Sequence, residues 1–183
     1  MRRLQLFAVA ALVAAAAHAQ IVPAATTIET KTGLRPIRQS IGTIETLGNT
    51  RLFALGSAND PVDMLGLMRG LYLDNYGVVF TSEISLIVTP TLTPFRPTIT
   101  KELHDQVHQK KVSRVPALRA QMVELVKQAA KEFAQMPDSQ RIVVAVRLRY
   151  LNWEDRTGLP SQIVMSATRK DALEGVIQTT EEQ

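Results

Sequence analysis

Residues 76–88 read Tyr76-Gly77-Val78-Val79-Phe80-Thr81-Ser82-Glu83-Ile84-Ser85-Leu86-Ile87-Val88, and their alternation decides the fold class. Val78, Phe80, Ile84, Leu86 and Val88 share one parity, interrupted only by Ser82. The other parity is mixed: Val79, Thr81, Glu83, Ser85 and Ile87. Apolar β-branched and aromatic residues at period two predict a strand with one buried face. The mixed second parity suits a sheet covered on one side only. Asp74-Asn75-Tyr76-Gly77 in front of it is a turn cluster, because Asn and Gly tolerate the positive φ of tight turns.

Outward from that strand, the chain gives a second strong strand over Arg141–Tyr150, with Ile142, Val144, Val146, Leu148 and Tyr150 on its apolar parity. Between the two, Pro90, Pro94 and Pro97 make Thr89–Pro97 a connection that excludes helix and central strand alike. A helix is expected from Thr98 or Thr100, breaking near Ser113. A second, capped by Ser113 with Pro116 in its first turn, then carries Val115, Leu118, Met122, Leu125, Val126, Ala129, Phe133 and Met136 as one stripe until Pro137. Ser161–Thr168 resumes a strand that can form a hairpin with Arg141–Tyr150. Thr168 caps a last helix, with Asp171 as its capping-box-like partner.

On the amino side of Tyr76, Arg51–Leu55 is a short strand candidate. Asp60-Pro61 is expected to open a buried helix through Val62, Met64, Leu65, Leu67 and Met68 that stops at Gly70. Leu71-Tyr72-Leu73 then makes the first arm of a hairpin with the Tyr76 strand. The order β-α-β-α-α-β-β-α predicts an α+β domain over residues 50–178: a small, mainly antiparallel sheet with helices packed on one face. Residues 21–49 are Thr-rich, with Pro23, Pro36, Gly33, Gly42 and Gly48 as breakers. They read either as a flexible extension or as short edge strands at Thr27–Thr30 and Thr43–Thr46. The tail from Thr179 to Gln183 is expected to fray.

Residues 1–20 have the form of a cleaved export signal. Arg2 and Arg3 make a positive start, Leu4–Ala16 an apolar run, and Ala17-His18-Ala19 a small-x-small cleavage pattern. The expectation is an exported protein, periplasmic or secreted, with no stable membrane anchor after cleavage. The formal charge of +4 falls to about +2 without those two arginines. So small an excess gives no reason to expect nucleic acid as a partner. With no cysteine, no disulfide can form, and stability must come from the hydrophobic core.

Two constellations carry candidate chemistry. His104-Asp105-Gln106-Val107-His108 places two histidines at i and i+4 on one helix face, the spacing of zinc-binding helices. Asp stands where the general-base Glu of that motif belongs, and a third ligand has to be a carboxylate such as Glu154 or Asp155. The competing reading is a solvated helix face, with Lys101, Lys110 and Lys111 as neighbours. The second constellation is the loop with Trp153, Glu154, Asp155 and Arg156, a candidate ligand- or protein-binding surface. Its competing reading packs Trp153 on the sheet end and pairs Glu154 or Asp155 with Arg147 or Arg149. Asp74 and Tyr76 join this candidate set if their turn reaches the same sheet end. Gly-x-Ser-x-Gly, P-loop and Gly-x-Gly-x-x-Gly patterns are absent from the sequence, and no motif implies a cofactor.

Tyr76-Gly77-Val78-Val79-Phe80-Thr81-Ser82-Glu83 and Gly158-Leu159-Pro160-Ser161-Gln162-Ile163-Val164-Met165 resemble stretches of uncharacterised exported bacterial proteins. The resemblance covers much of residues 50–178 and implies export and one shared domain, with no assigned activity and no site residues. The leading functional expectation is a non-enzymatic binding or interaction role with a protein or small-molecule partner. The alternatives are a metal-dependent hydrolase using His104 and His108, and a weak binder of anionic polymers through Arg147, Arg149, Lys127 and Lys131.

Overall fold

The computed structural model describes residues 35–95 and 98–183, so the export-signal pattern and the Thr27–Thr30 stretch lie outside the described residues. The elements are α1 (Arg35–Phe53), β1 (Asp63–Leu73), β2 (Gly77–Ser85), α2 (Lys101–Glu132), β3 (Arg141–Leu148), β4 (Gln162–Thr168), α3 (Arg169–Glu174) and β5 (Gln178–Glu182). The strands form one sheet in the order β1-β2-β3-β4-β5. Three pairings are antiparallel, and β2 pairs with β3 in parallel. The fold is α+β, a mainly antiparallel sheet with three helices packed on one face.

The alternation in the Tyr76 stretch translates directly into burial. Val78, Phe80 and Ile84 of β2 are fully buried, as are Ile142, Val144 and Val146 of β3 and Ile163 of β4. Ser82 sits on the same parity and is tolerated because its hydroxyl donates to the Gly66 carbonyl at 2.8 Å. Val88 is 56% exposed, since the strand ends at Ser85 and the chain turns away. Phe80 meets Phe133 of the C-cap of α2 with ring centroids 6.1 Å apart, which joins sheet and helix at the centre of the core.

Four expectations need correction. Asp60-Pro61 opens no helix: Val62–Met68 leads into β1, which pairs with β2 across the Leu73–Tyr76 turn. An all-round apolar run has no period of its own, so the available strand partner decides its state. Asp60 docks instead on α2, with Arg114 Nη2 at 2.8 Å and Lys110 Nζ at 3.5 Å. Residues 35–53, which contain Thr43–Thr46 and the start of the expected Arg51–Leu55 strand, are helical. Pro36 lies in the first turn of α1, where its missing N–H costs nothing, and Ile44, Gly48 and Leu52 form its buried face. The expected break near Ser113 does not occur. Thr100 caps a single helix, its side chain accepting from Leu103 N, and α2 runs through Pro116. Lys111, Val115, Leu118 and Met122 are buried on both sides of that proline, and their burial outweighs the ~3 kcal/mol that an interior proline costs. The tail is ordered: Gln178–Glu182 pairs with β4, and Arg119 Nε and Nη2 hold the Glu181 carboxylate at 2.6 and 2.7 Å. The last helix begins as expected, with Thr168 accepting from Asp171 N at 3.1 Å.

Helix α1 lies along the outer strand β1 and seals its edge. Asn49 Oδ1 accepts from Met68 N at 2.7 Å and Glu45 Oε1 from Gly70 N at 2.8 Å. Spaced four apart on one helix face, these two side chains occupy two of the donors that an edge strand otherwise offers to another chain.

Candidate functional site

Because α2 crosses over between them, β2 and β3 run in parallel and finish at the same end of the sheet. The 149–161 loop follows β3 there. The first half of α2 lies over the same end, since it must run back along the sheet to deliver the chain to β3. Folding thus brings together the two constellations that the sequence singles out.

The loop is fastened to α2 by three side-chain contacts one helical turn apart. His104 faces Trp153, with ring centroids at 6.3 Å. The indole N–H meets no acceptor among the described residues, so this contact is apolar. His108 Nδ1 lies 3.2 Å from the Asp155 carbonyl oxygen and 3.7 Å from its carboxylate. Lys111 closes the series in a buried ion pair with Glu154. Lys111 is fully buried and Glu154 is 8% exposed. Burial holds the Lys111 ammonium below lysine's usual range, against the opposing pull of Glu154. Its Nζ also stands 4.9 Å from the Tyr150 ring centroid and donates to the Arg149 carbonyl at 3.4 Å. The second Glu154 oxygen accepts from Leu151 N at 3.1 Å. Both charges are therefore partnered inside the protein, as a buried pair must be.

Tyr150 completes the fastening. Its hydroxyl donates to the Pro160 carbonyl at 2.7 Å and ties the two ends of the loop together. Burial, followed by the Glu154 charge, pushes its phenol well above tyrosine's ordinary range. Asp155 is held below the usual carboxylate range, first by hydrogen bonds from Thr157 and then by the nearby His108 and His104.

Of the clefts that open beside this frame, two are lined by Arg149 and Tyr150. One, of about 290 Å³, has Asp63, Leu65, Ser85, Thr89, Thr91, Leu151 and Glu154 as its remaining walls. The other, of about 230 Å³, is lined by Arg147, Arg156, Ser161, Gln162 and Glu182. Neither holds a nucleophile paired with an open base. The one buried amine among the described residues, Lys111, is sealed by its own partners.

No family model, curated protein or solved structure matches the chain.

The geometry redistributes the candidate residues. Trp153, Asp155 and Glu154 do meet α2, and Glu154 both pairs with Lys111 in the frame and lines the 290 Å³ cleft. Its partner is Lys111, and Arg149 pairs instead with Glu83, Nε to Oε1 at 3.1 Å. Arg156 is exposed and stands over the Tyr150 ring at 5.7 Å. Asp74 and Tyr76 lie at the opposite end of the sheet, because their turn precedes β2 while the Trp153 loop follows the parallel β3. Asp155 reaches His108, yet no group of three or more His, Asp or Glu side chains is gathered for a metal among the described residues. Lys127 and Lys131 stand in the last turns of α2, at the sheet end where β3 begins, away from Arg147 and Arg149. The residue that sequence reasoning missed is Lys111. It sits four before Val115 and seven before Leu118, in register with the apolar stripe, and that register was the available signal.

Proposed function

We propose that the protein is an exported, non-enzymatic binding module whose recognition surface is the sheet end formed by Ser85–Thr91 and Arg149–Ser161. The observation that carries this reading is the pair of clefts sharing Arg149 and Tyr150 on a frame fixed by the buried Lys111–Glu154 pair. A crevice outside the carboxyl ends of parallel strands is where open sheets place their ligands. A preorganised loop keeps down the ordering cost of binding. Export is supported by Arg2-Arg3, the Leu4–Ala16 run and Ala17-His18-Ala19, and no described helix is long and apolar enough to cross a membrane. The hydrolase alternative loses support because His104 and His108 are engaged in docking the loop.

The test is a thermal-shift screen with neutral, cationic and anionic small polar compounds, followed by hydrogen exchange on each hit. Compounds that bind unchanged and slow exchange at residues 85–91 and 149–161 are the expected result. Hits that protect other regions, or that are chemically converted on incubation, defeat the proposal.

A further inference from the structure

Three arginines line the 230 Å³ cleft: Arg147, Arg149 and Arg156. Neither Arg147 nor Arg156 has an ion-pair partner among the described residues, and Arg156 stands over the Tyr150 ring at 5.7 Å. Arg149 uses Nε on Glu83. The carboxylates near this cleft are Glu83, engaged with Arg149, and the exposed Glu182. Glu154 is spent on Lys111, and Glu181 on Arg119. Positive charge therefore outnumbers negative charge in a walled hollow, where field lines are focused more than on an open surface. Gln162 adds an amide. The Ser161 hydroxyl donates to the Glu182 carbonyl at 3.2 Å, so the donors to an anion are the arginines and Gln162.

The hollow is also rigid where it matters. Arg149 N donates to the Ile84 carbonyl at 2.9 Å, and Leu148 N to the Ser161 carbonyl at 2.8 Å. Arg147 and Arg149 thus project from backbone held in the sheet and at its end, and the Tyr150–Pro160 bond closes the loop beneath Arg156. A planar guanidinium offers paired N–H donors at the spacing of carboxylate, phosphate or sulfate oxygens.

We propose that this cleft binds a single oxyanion group, the phosphate, sulfate or carboxylate of a small ligand. The inference rests on the reading of this sheet end as the recognition surface. A long polyanion fits less well, because the basic residues do not form a continuous track: Lys127 is paired with Glu124 at 2.9 Å and lies with Lys131 toward the other end of the sheet. The exposed Glu182 carboxylate in the cleft lining also repels a chain running outward.

Isothermal titration of the purified chain with inorganic phosphate and with glucuronate tests the proposal and separates a free anion from a sugar acid. At least one probe should bind saturably. The double variant R147A/R156A should weaken it at least ~10-fold through lost charge-assisted hydrogen bonds, and R147K/R156K should fall between that variant and wild type. The control K127A/K131A removes the same charge from elsewhere and should leave affinity within about twofold. Arg147, Arg156 and Lys131 are exposed, and Lys127 is half-buried with only a surface pair to Glu124, so the melting curves of all three variants should stay within a few degrees of wild type. Absence of saturable binding by both probes overturns the proposal, as does equal weakening in the two alanine doubles. If neutral compounds protect residues 85–91 and 149–161 while both anions fail, the recognition surface survives and the oxyanion alone is refuted. If an anion binds but protects another region, both readings fall.

Discussion

Replacing Glu154 with glutamine keeps the volume and the acceptor for Leu151 N but leaves the buried Lys111 ammonium without a counter-charge. Its remaining polar neighbours are the Arg149 carbonyl at 3.4 Å and the Tyr150 ring at 4.9 Å. Removing one member of a buried pair costs ~3–5 kcal/mol, and with the amide oxygen kept on Leu151 N the amide NH2 faces the Lys111 ammonium and gives it no acceptor. Against a domain stability of ~5–15 kcal/mol, that is a large share. It corresponds to a drop in Tm of roughly 6–20 °C for a chain of this size. The pH dependence has a defined sign. Lys111 already titrates below lysine's usual range in the wild type, and loss of Glu154 lowers it further. Between the variant's value and the wild-type value, the native variant has released a proton that the unfolded chain still holds, so its stability rises with pH. The deficit of E154Q should therefore shrink as pH is raised through that window. The double replacement K111M/E154L removes both charges and should equal wild type or exceed it by ~1–4 kcal/mol. Urea unfolding followed by far-UV dichroism and by the single tryptophan, Trp153, measures all three proteins. An E154Q variant within ~1 kcal/mol of wild type at pH 7 would refute the view that this pair holds the loop.

Three further outcomes follow from the same structure. V144D places an unpaired charge at a fully buried position of β3 and should abolish cooperative melting; a near-wild-type melt contradicts the assigned faces. G77A should be far more damaging than G158A. Gly77 has φ of 133° and an added Cβ meets the Arg141 carbonyl oxygen at 1.9 Å, whereas Gly158 at φ 70° has open space around it. G158A should cost only ~1–2 kcal/mol, and equal melting temperatures for the two variants would contradict the close β2–β3 approach. Tyr150 titrates above tyrosine's ordinary value of ~10, so its contribution is fully present below that pH and is lost as pH rises through the folded value. Y150F should lose ~1 kcal/mol near neutrality with the Pro160 hydrogen bond, and its stability should decline less steeply than wild type above pH 10; parallel alkaline declines would argue against a buried phenol.

The parts of the fold legible in the sequence are those whose burial pattern is local. β2, β3 and β4 alternate, and Thr168 announces α3. β1 was unreadable because Val62–Met68 carries apolar residues on both parities, interrupted only by Asp63 and Gly66, and only pairing with β2 settles it. α1 was obscured by Pro36, Gly42 and Gly48, although Ile37, Ile41, Ile44 and Leu52 already follow helical spacing. β5 is wholly exposed; nothing in Gln178–Glu182 signals burial, and its order comes from β4 and Arg119. The site divides in the same way. The approach of His104 and His108 to the Trp153 loop depends on the β2-α2-β3 crossover, and no local pattern encodes it. Lys111 was visible as an apolar-phase position, but its partner lies 43 residues away.

The seal on β1 bears on the order in which the molecule assembles. Asn49–Met68 and Glu45–Gly70 span 19 and 25 residues, whereas the β2–β3 pairing must wait for all of α2 to be laid down between its partners. Short loops close at lower entropic cost and form sooner. By sequence separation alone, the guard on the sticky edge is expected to close before the centre of the sheet is complete. A chain that folds in this sequence keeps its longest edge strand out of reach of its neighbours during the interval when aggregation competes most strongly with folding.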